Sequence, residues 1–174
     1  MPSKADVVII GAGVIGLAAA YELAKVGVDV LVVDKSGLAD EASTRNPGGI
    51  RLLGRDEAEV PLMLSAIKIW QLLKEELDFD IGLRPDGYLW AALSDQEVKL
   101  QEDLVKRDAE YGIEEQVLYG EELKEFSGAF SLDVVKSGLW SPGCLLADPF
   151  AVSMGYYQAA KRFGARFWFQ SGVT

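Results

Sequence analysis

Apolar positions along the chain switch between continuous runs and helical spacing. Residues 7–10 (Val7, Val8, Ile9, Ile10) are an unbroken apolar run, which predicts a parallel strand buried on both faces. A helix-like stretch follows as far as Gly27, then a second apolar run at 30–33. From 35 to 56 small and polar residues dominate and predict a loop with a short helical turn. Between 57 and 77 the apolar residues Val60, Met63, Ile67, Trp70, Leu73 and Leu77 fall three or four apart, which predicts a helix. Pro61 is tolerable only in its first turn. Residues 82–87 carry turn chemistry, and 88–93 read as a strand. Ser94 and Glu97 form a capping box for a helix to about Tyr111, stopped by Gly112. A short strand is expected at 116–119, a short helix at 120–126, and a strand at 135–140 ended by Ser141, Pro142 and Gly143. Asp148 caps a last helix with Pro149 at its first position, running to Phe163 and stopping at Gly164. Residues 165–170 form the final strand.

This order predicts an α/β fold. A strand–helix–strand unit spans 3–33, and a β-rich excursion is inserted between nucleotide-binding elements. The expected organisation is a dinucleotide-binding part at 1–80, the excursion at 81–146, and a return to the first part at 147–174.

The turn after the first run carries the chemistry. Gly11 permits a sharp exit from the strand, and Gly13 lets the backbone approach a pyrophosphate. Gly16 lets the helix pack closely on the strand. The helix start at Val14, Ile15 and Gly16 aims unpaired N–H groups and a partial positive charge at the phosphates. Asp34, with Lys35 beside it, stands 18 residues after Gly16 at the end of the second run, where a carboxylate accepts bonds from ribose hydroxyls. The alternative is a glycine-rich turn in an ordinary βαβ unit.

Composition narrows the function classes. The chain has 174 residues, enough for a sizeable core. A net charge of −10 opposes nucleic-acid binding, and the carboxylates, such as Glu114 with Glu115 and Glu121 with Glu122, read as solvated helix faces. The single cysteine, Cys144, excludes an internal disulfide and suits a reducing compartment. There is no histidine, which removes the commonest general base and metal ligand; no metal site is expected. No transmembrane segment or targeting signal is visible, so a cytoplasmic protein is expected.

Four pieces resemble the FAD-dependent amine and amino-acid oxidoreductases, the family of D-amino-acid oxidase, glycine oxidase, sarcosine oxidase and dye-linked proline dehydrogenase. They are the glycine turn with Asp34; the segment from Ala42 to Arg51; Gly87 to Trp90; and Gly138 to Trp140, with Asp148 and Pro149 opening a helix. The resemblance covers nearly the whole chain. It implies a Rossmann-like FAD/NAD(P)-binding domain with an inserted β-rich substrate-domain excursion, truncated relative to longer members. It implies FAD as cofactor and a small-molecule amine or amino acid as substrate. It places Ser43, Thr44, Arg45, Asn46, Gly48 and Gly49 along the pyrophosphate and flavin ring, where hydroxyls, a guanidinium and bare backbone suit the ligand. Arg51 corresponds to an arginine that binds the substrate carboxylate. Members usually carry Glu where this chain has Asp34, so FAD over NAD is not settled by that residue. A non-catalytic nucleotide-binding subunit needing a second chain, and an NAD-linked dehydrogenase, are the other readings. A homo-oligomer or a complementary subunit is expected, because the last strand belongs to a sheet with an open edge.

Overall fold

The first apolar run becomes strand β1 (Val7–Ile10), the helical stretch α1 (Val14–Lys25), and the second run β2 (Val30–Val33) in a computed structural model. Residues 4–126, 128 and 130–173 are described; Ser3, where the first unit was expected to begin, and Thr174 lie outside them. Then come β3 (Gly49–Ile50), α2 (Val60–Leu77), β4 (Tyr88–Ala92), α3 (Asp95–Ala109), β5 (Gln116–Leu118), β6 (Ser137–Ser141), β7 (Leu145–Leu146), α4 (Pro149–Arg162) and β8 (Arg166–Trp168). Short 3-10 turns occur at Ala42–Thr44, Glu57–Glu59 and Gly120–Phe126. The chain divides into two compact units, one of residues 1–48, 70–83 and 147–174, the other of residues 49–69 and 84–146.

The first unit is built on a parallel sheet ordered β1-β2-β8. Ile9, Val32 and Phe167 stand in register and share one face. Phe167 meets the Tyr157 ring of α4 edge-on at 4.7 Å, so this is the helix-covered face. Helices α1 and α4 pack on each other through small residues, with Ala20 and Ala24 of α1 and Gly155, Ala159 and Ala160 of α4 all buried. The central strand β2 is buried throughout. The expectation that β1 is buried on both faces is not met: Val8 is 55% and Ile10 71% exposed. β1 is an edge strand, and these two side chains are open to solvent, whereas their neighbours on the same face, Leu31 and Val33, are buried.

The second unit holds an antiparallel sheet ordered β4-β6-β5 and a two-stranded pair β3-β7. Leu118, Leu123 and Val135 form a core cluster, with Leu89, Phe126 and Trp140 packed on it. Gln101 of α3 is 1% exposed. Its Nε2 donates to the Trp90 carbonyl on β4 at 2.5 Å, and its Oε1 accepts the Ser137 hydroxyl of β6 at 2.7 Å.

Local signals fix the helix ends. Ser94 Oγ accepts the Glu97 amide at 3.3 Å, and Glu97 Oε2 accepts the Ser94 amide at 2.9 Å, completing the capping box. Asp148 Oδ1 accepts the amides of Phe150 and Ala151 at 2.8 and 3.0 Å. The last strand is shorter than expected, because Gln170 turns away at φ 54° and donates its amide to Ser36 O. Glu115 departs from the expected solvated helix face. Helix α3 ends at Ala109, Glu115 lies in the following loop, and both its carboxyl oxygens are buried.

Candidate functional site

The three glycines of the first turn do three different jobs. Gly11 has φ +105°, a conformation that favours glycine, and its amide donates to Val33 O at 2.8 Å. A Cβ on Gly16 would lie 2.1 Å from Gly11 O, so only glycine allows α1 to approach the turn this closely. A Cβ on Gly13 would sit 3.0 Å from Ser43 Oγ. That same hydroxyl accepts the Val14 amide at 3.0 Å, so Ser43 closes one of the open donors of α1 from 29 residues away. The amides of Ile15 and Gly16 in the same turn have no intrahelical carbonyl behind them, and Ile15 is exposed.

Asp34 stands at the carboxyl end of β2. Its Oδ2 accepts the Ala12 amide at 2.7 Å and its Oδ1 accepts the Ser36 amide at 2.7 Å. A carboxylate has about four acceptor positions, so two remain for hydroxyl groups. Beside it lies a pocket of about 340 Å³ lined by Ile10, Gly11, Asp34, Lys35, Ser171 and Val173, among others. It sits beyond the carboxyl ends of the parallel strands, the usual ligand position in such sheets. Lys35 is exposed and lies 3.9 Å from Glu41 Oε1.

The loop that follows divides its side chains between holding the helix start and building the loop itself. Thr44 Oγ1 donates to Ala39 O at 2.8 Å. Arg45 Nη2 donates to Asp40 O at 2.9 Å. Asn46 donates to Ser43 O at 2.9 Å and accepts the Gly48 amide at 2.9 Å. These three therefore shape the loop, and Ser43 is the member joined to the helix start. Gly48 has φ +77°, and a Cβ there would lie 2.0 Å from Ala147 O. Glycine is required at this position by the chain itself.

Gly49 and Arg51 belong to the second unit. Gly49 pairs with Leu146 in the β3-β7 ladder, and a Cβ there would meet nothing within 4 Å. Arg51 is half-buried. Arg45, Arg55, Arg84, Arg107, Arg162 and Arg166 all have a hydrogen-bond or ion-pair partner for the guanidinium. Arg51 is the one arginine among the described residues whose guanidinium has none. Next to it, the Leu52 amide donates to Cys144 Sγ at 3.2 Å.

Ser171, Gly172 and Val173 join the pocket edge without a motif that announces them. Asp34 donates its amide to Trp168 O and accepts the Ser171 amide on its carbonyl, and that pairing brings the chain end beside β2. The donor set fits the adenosine and pyrophosphate part of a dinucleotide: an acidic acceptor beside a pocket, a side-chain-free turn, and open amides at a helix start. Among the described residues no cluster of three metal-ligating side chains occurs, and no helix is long and apolar enough to cross a membrane.

Comparison with known proteins shows the family. The family model described as "DAO: FAD dependent oxidoreductase" matches residues 6–174. The chain is 27% identical over 173 residues to mitochondrial dimethylglycine dehydrogenase of Rattus norvegicus, covering 98% of this chain and 20% of that one. Among solved structures, L-proline dehydrogenase from P. horikoshii superposes with a TM-score of 0.89 at 30% identity, over 100% of this chain and 46% of that one. Glycine oxidase from Geobacillus kaustophilus superposes with a TM-score of 0.90 at 26% identity, over 97% of this chain and 47% of that one. The chain thus spans about half the length of these solved relatives and a fifth of the curated one.

Proposed function

The chain belongs to the FAD-dependent oxidoreductase family, and we propose that it is part of an enzyme oxidising the C–N bond of a small amino acid or secondary amine, such as sarcosine, glycine or proline. The observation that carries the reading is the Asp34–Ala12 clasp beside the pocket at the strand ends, with the glycine turn closing on α1. The family's cofactor is FAD. In this reading Asp34 holds ribose hydroxyls, while Gly11, Gly13 and the open amides of Ile15 and Gly16 face the pyrophosphate; the Val14 amide, expected to join them, is taken up by Ser43. Ser43 sets the helix start, and Thr44, Arg45, Asn46 and Gly48 keep the loop that carries Ser43 in shape.

Bound FAD supplies the electron acceptor for oxidation beside an amine nitrogen. The chain's own part is orientation. Arg51, with no partner of its own, offers a planar fork to a substrate carboxylate and fixes which C–H is presented. Dimethylglycine, proline and glycine, named for the relatives above, all join an amine to a carboxylate. That shared chemistry supports the substrate class. The single buried Cys144 supports a reducing, cytoplasmic location. The exposed face of β1 supports association with a second copy or a complementary subunit.

Calorimetry with ADP and with FAD tests the nucleotide half directly. Saturable binding of both, with a flavin spectrum in the protein peak, is the expected result. Absence of binding by either ligand overturns it.

A further inference from the structure

The second unit holds a buried polar cluster that the proposed chemistry does not use. Asp108, near the end of α3, is fully buried, and Arg107 Nε donates to its Oδ1 at 2.6 Å. Arg107 Nη2 lies 2.5 Å from the same oxygen without the alignment of a hydrogen bond. Glu115, in the loop leading to β5, turns its carboxyl inward. The charged groups facing it are Asp108 and Arg107 from α3, and Ser141, the last residue of β6, brings its hydroxyl. Asp108 Oδ2, both Glu115 oxygens, Ser141 Oγ and Arg107 Nη2 are all buried without a hydrogen-bond partner. Two carboxyl groups, Asp108 and Glu115, thus turn inward beside a single guanidinium, and like charges in a buried site disfavour the second ionisation. A proton on Glu115 removes the second buried negative charge beside Asp108.

Ser141 is tied to the candidate substrate arginine's neighbour. The Cys144 amide donates to Ser141 O at 3.4 Å, and Cys144 Sγ accepts the Leu52 amide at 3.2 Å. Gly143 packs so tightly that a Cβ there would lie 3.0 Å from Leu52 Cδ1. Beyond the turn, β7 pairs with β3, which runs directly into Arg51.

We propose that Glu115 holds a proton in the folded chain and that its loss loosens the turn from Ser141 to Cys144, making the hold on Leu52, and with it the placement of Arg51, dependent on pH.

Burial, and after it the Asp108 charge, push the Glu115 carboxyl up to about 7 from an ordinary 4.5. The folded chain then binds this proton more tightly than the open one. Stability from it is complete below 4.5 and is lost as pH rises through about 7.

Amide hydrogen exchange on the whole chain tests the coupling and needs neither cofactor nor substrate, so its failure leaves the nucleotide reading untouched. After correction for the chemical exchange rate, the amides of Leu52 and Cys144 should exchange about tenfold faster at pH 8 than at pH 6, the change that titration near 7 imposes on a local opening. Glu115→Gln, which cannot ionise, should abolish that change. Equal corrected rates in the wild type, or the same step in the variant, overturn the proposal. Should the variant fail to fold, infrared spectroscopy of the wild type decides. A protonated carboxyl band present at pH 6 and gone by pH 8 supports it, and no such band at pH 6 refutes it.

Discussion

The Asp34 carboxylate accepts the Ala12 amide at 2.7 Å, joining the end of β2 to the glycine turn after β1. The residue proposed to hold the ribose is thus also a clasp of the fold. Asp34→Ala removes this bond and the one from the Ser36 amide. Each charge-assisted bond is worth roughly 1.5–3 kcal/mol. ADP affinity should fall by roughly 10- to 100-fold, and the thermal midpoint should drop as well. Calorimetry paired with thermal unfolding reads both. Wild-type affinity in the variant would remove Asp34 from the site.

The glycines separate stability from binding. Gly16→Ala drives a methyl into Gly11 O, a backbone atom that cannot swing aside, and should cost about 1–3 kcal/mol in denaturant unfolding. Gly13→Ala meets only the Ser43 hydroxyl, a side-chain atom that need give by only a few tenths of an ångström and at most loosens its bond to the Val14 amide, so the loss of stability should be smaller while ADP binding weakens. The reverse ranking of the two variants in stability would contradict these assignments.

Much of the frame was legible because its signals are local. Ser94 with Glu97, and Asp148 with Pro149, announce helix starts within four residues, and the structure places both. Pairs decided by distant chain were not legible. β3 and β7 are two residues each, too short for any period to register. An apolar run looks the same in an edge strand as in a central one, so the exposure of Val8 and Ile10 left no trace in the sequence. The segment from Ser43 to Asn46 was readable as a group. Which members build the loop depends on carbonyls at Ala39 and Asp40 that only folding brings near. Glu115 gave no signal at all, because a glutamate beside another glutamate reads as surface.

Arg51→Lys keeps the charge but loses the fork. In flavin-loaded, full-length enzyme, KM for an amino-acid substrate should rise about 10-fold or more, with a smaller change in kcat, since bidentate contact is worth roughly 1.5–3 kcal/mol. An amine lacking a carboxylate should be oxidised equally by both forms. An unchanged KM for the amino acid would rule out this contact.

The open face of β1 predicts association. At tens of micromolar the purified chain should scatter light as a dimer or larger, and Val8→Lys should shift it toward monomer by charging an apolar sheet face. A monodisperse wild-type monomer would refute the idea.

Gln101 has a consequence for which sheet can form. A strand that slips by two residues keeps its apolar side chains on the same face, so hydrophobic burial tolerates the error. The Gln101 amide does not. Its nitrogen donates to a backbone carbonyl, at Trp90, but its oxygen needs the Ser137 hydroxyl, which stands there when β4 and β6 are aligned as found. A two-residue slip of β6 would put Val135 or Leu139 where the Ser137 hydroxyl stands and leave the buried amide oxygen without its donor. One polar side chain thus works as a reading-frame check on the sheet, rejecting alignments that greasy contacts alone would accept.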